Sequence, residues 1–112
     1  LAGELAEAAR LGAKPLKVGE AGFDAAVNSG TVKWAINESG QLVIIPKFVN
    51  GTEISHTVLT GGGRVIAAGE AEIAGSGGQY ILLQINNHSG HYLPSSESLG
   101  LGRQAFAALG IR

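Results

Sequence analysis

The sequence predicts an α+β domain of two N-terminal helices, about five antiparallel strands and a terminal helix. Three observations predict it. Apolar residues recur at helical spacing up to residue 30, and from residue 31 the period changes to two. Glycine clusters at 61–63 and 75–78 separate apolar runs as turns would, in a chain with 18 glycines among 112 residues, against an average of about 7%. Helical spacing resumes after Pro94.

In "LAGELAEAARLGA", Leu1, Leu5, Ala8 and Ala9 lie close to helical spacing. Glu4 and Glu7 near the start and Arg10 near the end suit the helix dipole, and Gly12 and Pro15 stop the helix. A second short helix is expected over 20–29, with Phe23 and Val27 four apart and Asn28-Ser29-Gly30 as terminator. "TVKWAI" then puts Val32, Trp34 and Ile36 on one face of a strand and Lys33 on the other, and Asn37-Glu38-Ser39-Gly40 turns the chain into "QLVIIPKFV" as a hairpin. Pro46 cannot donate to a ladder, so this second strand is an edge strand, bulges there, or ends before Lys47.

Asn50-Gly51 marks a turn, and "TEISHTVL" reads as the third strand, with His56 sharing parity with Ile54 and Val58. In "RVIAAGEAEIAG", Ile66, Ala68, Glu70 and Glu72 alternate with Val65, Ala67, Gly69, Ala71 and Ile73. The small second set predicts close packing against another element. "GQYILLQIN" is the last strand, alternating Ile81, Leu83 and Ile85 with Tyr80, Leu82, Gln84 and Asn86. Ser95-Ser96 caps a final helix with Leu99, Phe106 and Leu109 on one side, ended by Gly110. One domain over 1–112 is expected, helical over 1–30, sheet over 31–94 and helical again over 95–112.

Eight Lys plus Arg against nine Asp plus Glu give a net charge of -1, without the basic signature usual in nucleic-acid binders. Any polyanion site must therefore be local. No cysteine is present, which excludes disulfides, thiolate metal sites and a cysteine nucleophile. No apolar run approaches the roughly 18 residues of a membrane span, so no membrane partner is expected for this segment. The chain starts at Leu1 and contains no methionine, from which a segment of a larger carrier polypeptide is expected.

The chemistry concentrates at the histidines, His56 in the third strand and His88 and His91 in "INNHSGHYLP". Histidine alone has an ordinary pKa, about 6.5, that lets it give or take a proton near neutral pH. Two such groups flanking a phosphate suffice for RNA cleavage with no metal or cofactor, one taking the 2'-hydroxyl proton and the other protonating the leaving 5'-oxygen. Lys47, Arg64 or Arg112 would stabilise charge on the phosphoryl oxygens; Ser89, Tyr92, Asn87 and Asn86, with Thr57 and His88, would hold phosphate or base. His56 reads equally well by pattern as a core histidine, and His88-Ser89-Gly90 as a polar turn. A zinc site on His88 and His91 is the weaker reading, for a third ligand would have to come from His56 or a carboxylate and no pattern of residues placed to orient the ligands is visible. "TGGGR" and "GSGGQ" lack the Walker and dinucleotide spacings and read as hairpin turns.

"GTEISHTVLTGGGRVIAAGEAEI" and "INNHSGHYLPSSESLGLGRQAFAALGI" together resemble the C-terminal toxin domains of bacterial polymorphic toxins, in particular the tips of the large contact-dependent growth-inhibition proteins. The resemblance covers roughly residues 50–111 and is most specific at "SGHYLP". Many such tips are similar to the ribonuclease superfamily of barnase, EndoU, colicin nucleases and RelE, in which N-terminal helices pack on a strongly curved four- or five-stranded antiparallel sheet. The resemblance implies a metal-independent endoribonuclease, often directed at tRNA. It also implies a secreted or cell-surface carrier, action in the cytoplasm of the target cell and a cognate immunity protein. His56, Ser89, His91 and Tyr92 are the positions that match as catalytic residues.

Two other classes stay open. Toxin tips include ADP-ribosyltransferases, for which Glu70 and Glu72 would be the acidic candidates, and a non-catalytic binding module would use the histidine-rich loop only as a contact surface.

Overall fold

Strand β1 (Val32–Asn37) carries Val32, Trp34 and Ile36 on one face and Lys33 and Ala35 on the other, and all five are buried. A strand buried on both faces belongs at the centre of a sheet. The computed structural model, which describes residues 3, 6, 9, 10, 12, 15–49, 51–54, 57–60, 65–77, 79–86 and 96–111, places it there. The four-stranded antiparallel sheet runs β2 (Leu42–Pro46), β1, β5 (Val65–Ser76), β6 (Gln79–Asn86). A second, two-stranded sheet pairs β3 (Phe48–Val49) with β4 (Thr52–Glu53), and helices α1 (Phe23–Val27), α2 (Thr57–Thr60) and α3 (Ser96–Ala108) belong to the same mixed α+β fold.

The β1–β2 hairpin forms where the turn residues demand. The Asn37 side-chain oxygen accepts from the N–H groups of Ser39 and Gln41, both at 3.0 Å, and Gly40 supplies the positive φ of 82°. β2 is an edge strand and ends at Pro46, as a residue without a ladder donor requires. Its outer edge is bridged by Leu16, which exchanges both backbone hydrogen bonds with Ile44.

One face of the sheet packs on α1 and α3 around Trp34, Phe106, Ile44, Val27 and Ile111. Burying each large side chain contributes about 1.5–3 kcal/mol. The small residues of β5 do what their size predicts. Ala67, Gly69 and Ala71 lie opposite Ile36, Trp34 and Val32, leaving room for the indole, and α3 comes down on that ring at Gly102. A Cβ at Gly102 would lie 2.4 Å from the ring. At its end, Gly110 (φ 83°) turns the chain so that Ile111 is buried beside Tyr80.

Helix α1 is clamped to the tip of the β5–β6 hairpin. Asp24 accepts from the Tyr80 hydroxyl and, at 3.0 Å, from the Gly77 N–H, and these bonds hold its carboxyl below the ordinary value of 3.8. Asn28 donates to the Gly75 carbonyl at 2.7 Å, and the Phe23 and Tyr80 rings meet edge to face at 5.4 Å.

Three expectations are corrected. "TEISHTVL" is not one strand. β4 stops at Glu53 and α2 follows, because Val58 and Leu59 are consecutive and both buried with Ile54, which a helical turn can achieve and one strand face cannot. Lys33 lies on the opposite face from Trp34, as expected, and is 4% exposed there, since β3–β4 and Ile54 cover that face. In β6 the inward set is Tyr80, Leu82 and Ile85: a register shift opposite Glu72 and Ile73 inserts Leu83 as an extra residue, reverses the phase and leaves Ile81 and Leu83 exposed. Leu109 follows α3 and is 41% exposed, so the helix packs through Phe106 and Leu99. Within the expected first helix, Gly3, Ala6, Ala9 and Arg10 are helical and exposed.

Candidate functional site

Sheet parity divides the second face into an apolar end and a polar end. At the apolar end Val43, Ala35 and Ala68 line up across β2, β1 and β5 under Ile54, Val58 and Leu59. Toward the other end the next row reads Ile45, Lys33, Glu70, Asn86, and beyond it Glu72 lies opposite Gln84, with Thr31 and Lys47 beside them. Two rows of strand residues thus turn one corner of the sheet polar.

The charges in that corner are paired. Lys33 Nζ lies 2.9 Å from Oε2 of Glu53, which ties the β3–β4 hairpin onto the central strand. Lys47 Nζ lies 3.2 Å from Oε1 of Glu70 and 5.6 Å from the centre of the Phe48 ring. A cation above an aromatic face adds about 0.5–1 kcal/mol at an exposed site. The Thr31 hydroxyl faces Glu72 at 3.4 Å. Thr31, Glu70, Glu72, Gln84 and Asn86 line a cavity of about 110 Å³, offering carboxylate acceptors beside amide and hydroxyl groups that both donate and accept.

The last pair of the β5–β6 ladder is reinforced by side chains from both faces. The Asn86 side-chain oxygen accepts from the Glu70 N–H at 3.1 Å. From the helix-covered face, the Trp34 indole N–H is shared between the carbonyls of Glu70 and Asn86, each at 3.2 Å.

Of the residues singled out in the sequence, Lys47 lies in this corner, one residue past β2. Thr57 opens α2. His56, Arg64, Asn87, His88, Ser89, His91, Tyr92 and Arg112 lie outside the described residues. Sequence reasoning missed Lys33 and Glu53 and gave Glu70 no link to Lys47. The available signal was Lys33 itself, a charge inside an apolar run on a strand whose parity faces Glu70. Among the described residues no three His, Asp or Glu side chains converge as metal ligands would, and no helix is long and apolar enough to cross a membrane.

Compared with protein-family models, curated proteins and solved structures, the chain matches none.

Proposed function

We propose that the chain is a metal-independent toxin ribonuclease that cleaves tRNA in a target bacterial cell and is neutralised by a cognate immunity protein. One observation carries this reading: the segments bearing the histidines are rooted at one corner of the sheet. Ile54, two positions before His56, donates its N–H to the Lys47 carbonyl at 2.8 Å. Asn86, two positions before His88, pairs with Glu70, and the Lys47–Glu70 ion pair joins the two roots. Chain connectivity therefore starts the segment of His88 and His91 beside the polar cluster, while that of His56 follows a residue whose backbone is tied to Lys47 and whose side chain packs toward the apolar end.

In the proposed reaction one histidine, His56 or His91, removes the 2'-hydroxyl proton and the oxygen attacks the adjacent phosphorus. The other protonates the departing 5'-oxygen, giving a 2',3'-cyclic phosphate. Lys47, poised between Glu70 and Phe48, supplies positive charge to the phosphoryl oxygens, and Ser89 and Tyr92 hold the phosphate.

The test is expression in a susceptible cell followed by sequencing of RNA ends. A cyclic-phosphate end at one tRNA position, EDTA-resistant and lost about 10²- to 10⁴-fold in His91→Ala or His56→Ala, is the expected result. Intact RNA in arrested cells would overturn it.

A second reading is favoured by Glu70 and Glu72 lining one cavity, the arrangement an ADP-ribosyltransferase would need for its acidic pair. Transfer of label from NAD to a lysate protein, lost in Glu72→Gln, would select it.

A further inference from the structure

We infer that Trp34 is the positioning residue of the polar corner, setting from behind the sheet the pair Glu70 and Asn86 on which the candidate site is built; the inference rests on the ribonuclease reading for its kinetic consequence. The indole is fully buried, and its surroundings fix its position on both sides. Gly102 of α3 leaves no space above it, and Phe106 stands edge-on to it at 6.1 Å between centroids. Toward the sheet its single N–H reaches two carbonyls on adjacent strands. A shared donor of this kind fixes the spacing of the two backbones at one level.

That level matters because it is where β6 ends and the histidine-bearing segment begins. The carbonyls that Trp34 holds belong to the residues whose side chains line the polar cavity on the opposite face. A helix on one face therefore bears, through one ring, on the geometry of the other. Trp34 bonds the main-chain carbonyls of Glu70 and Asn86 and not their side chains, so its action is through those two residues.

The chain has one tryptophan, so biosynthetic replacement of tryptophan by benzothienylalanine changes this position alone, keeping the bicyclic shape and removing the N–H. Phe106→Leu serves as the control, trimming the ring's packing without touching its donor. The expected result is a folded analogue protein whose NMR shifts change at residues 70–72 and 84–86, with kcat on RNA down about 10- to 100-fold and KM within about twofold. Phe106→Leu should lower the melting temperature with little change in kcat.

Equal loss of kcat in the two proteins, or shifts spread evenly over the α3 contacts, would overturn the positioning role. If the wild-type domain cleaves no RNA, the ribonuclease reading falls by itself. The confined or dispersed pattern of shifts then decides the role of Trp34.

Discussion

Lys47 and Glu70 are 23 positions apart in sequence, and their charged atoms meet at 3.2 Å across the central strand of the sheet. Both side chains are less than a third exposed, at 26% and 19%, so water screens the pair only partly. A double-mutant cycle with Lys47→Met and Glu70→Gln should return a coupling of about 0.5–1 kcal/mol in urea unfolding. The coupling should shrink in high salt. A value indistinguishable from zero in low salt would mean that the two groups do not interact in solution.

The Lys33–Glu53 pair is asymmetric, with the lysine side chain 5% exposed and the carboxylate 54% exposed. Removing the acid strands a buried ammonium, whereas removing the base leaves an acid that water can solvate. Glu53→Ala should therefore cost about 1–3 kcal/mol. Lys33→Met, which keeps an apolar stem in the same space, should cost less than about 1 kcal/mol. Reversal of that order in equilibrium unfolding would count against the pair as described.

Two glycines of α3 should respond oppositely to alanine. A methyl at Gly102 would meet the Trp34 ring at 2.4 Å, so Gly102→Ala overpacks the core and should cost about 1–3 kcal/mol, with a change in Trp34 fluorescence. At Gly100 nothing lies within 4 Å of the added carbon. There Gly100→Ala should stabilise by about 0.5–1 kcal/mol through helix propensity alone.

Acid should loosen the clamp on α1. The Tyr80 hydroxyl first, and the Gly77 N–H second, hold the folded pKa of Asp24 below its ordinary value of 3.8. The unfolded chain therefore binds the proton more readily, so this contribution to stability is fully present above pH 3.8 and is lost as pH falls through the folded value. Stability followed from pH 6 to pH 2 should fall less steeply in Asp24→Asn and Tyr80→Phe than in the wild type. Parallel curves for all three proteins would remove Asp24 from the account.

The β1–β2 turn was legible because its chemistry is local: Asn37 and Gly40 carry it within five residues. Pro46 likewise limited its strand to an edge, a bulge or an end before Lys47, and the strand is an edge that ends there. "TEISHTVL" misled because Ile54 and Val58 are four apart, a spacing that suits a strand face and a helical turn alike, and only the burial of Leu59 beside Val58 decides between them. The phase of β6 depends on a bulge, which turns on pairing with β5 and leaves no mark in an alternating pattern. In the polar corner, Lys47 was one of three cations the sequence offered. Its pairing with Glu70 was not legible, since an ion pair spanning a third strand depends on sheet order. Strand parity placed Trp34 on one face with Val32 and Ile36, but where a buried N–H finds its acceptors is set by the register of two other strands.

Helix α1 has five residues, far short of the roughly 12–15 that a lone helix needs in water. The bonds that clamp it span 47, 53 and 56 positions of sequence. Contacts of such long sequence separation mean that α1 lacks its clamp until the β5–β6 hairpin exists. A chain emerging from the ribosome should carry α1 unprotected until Tyr80 has cleared the exit tunnel. Amide exchange in α1 and in the hairpin tip should then slow together, in a single late step.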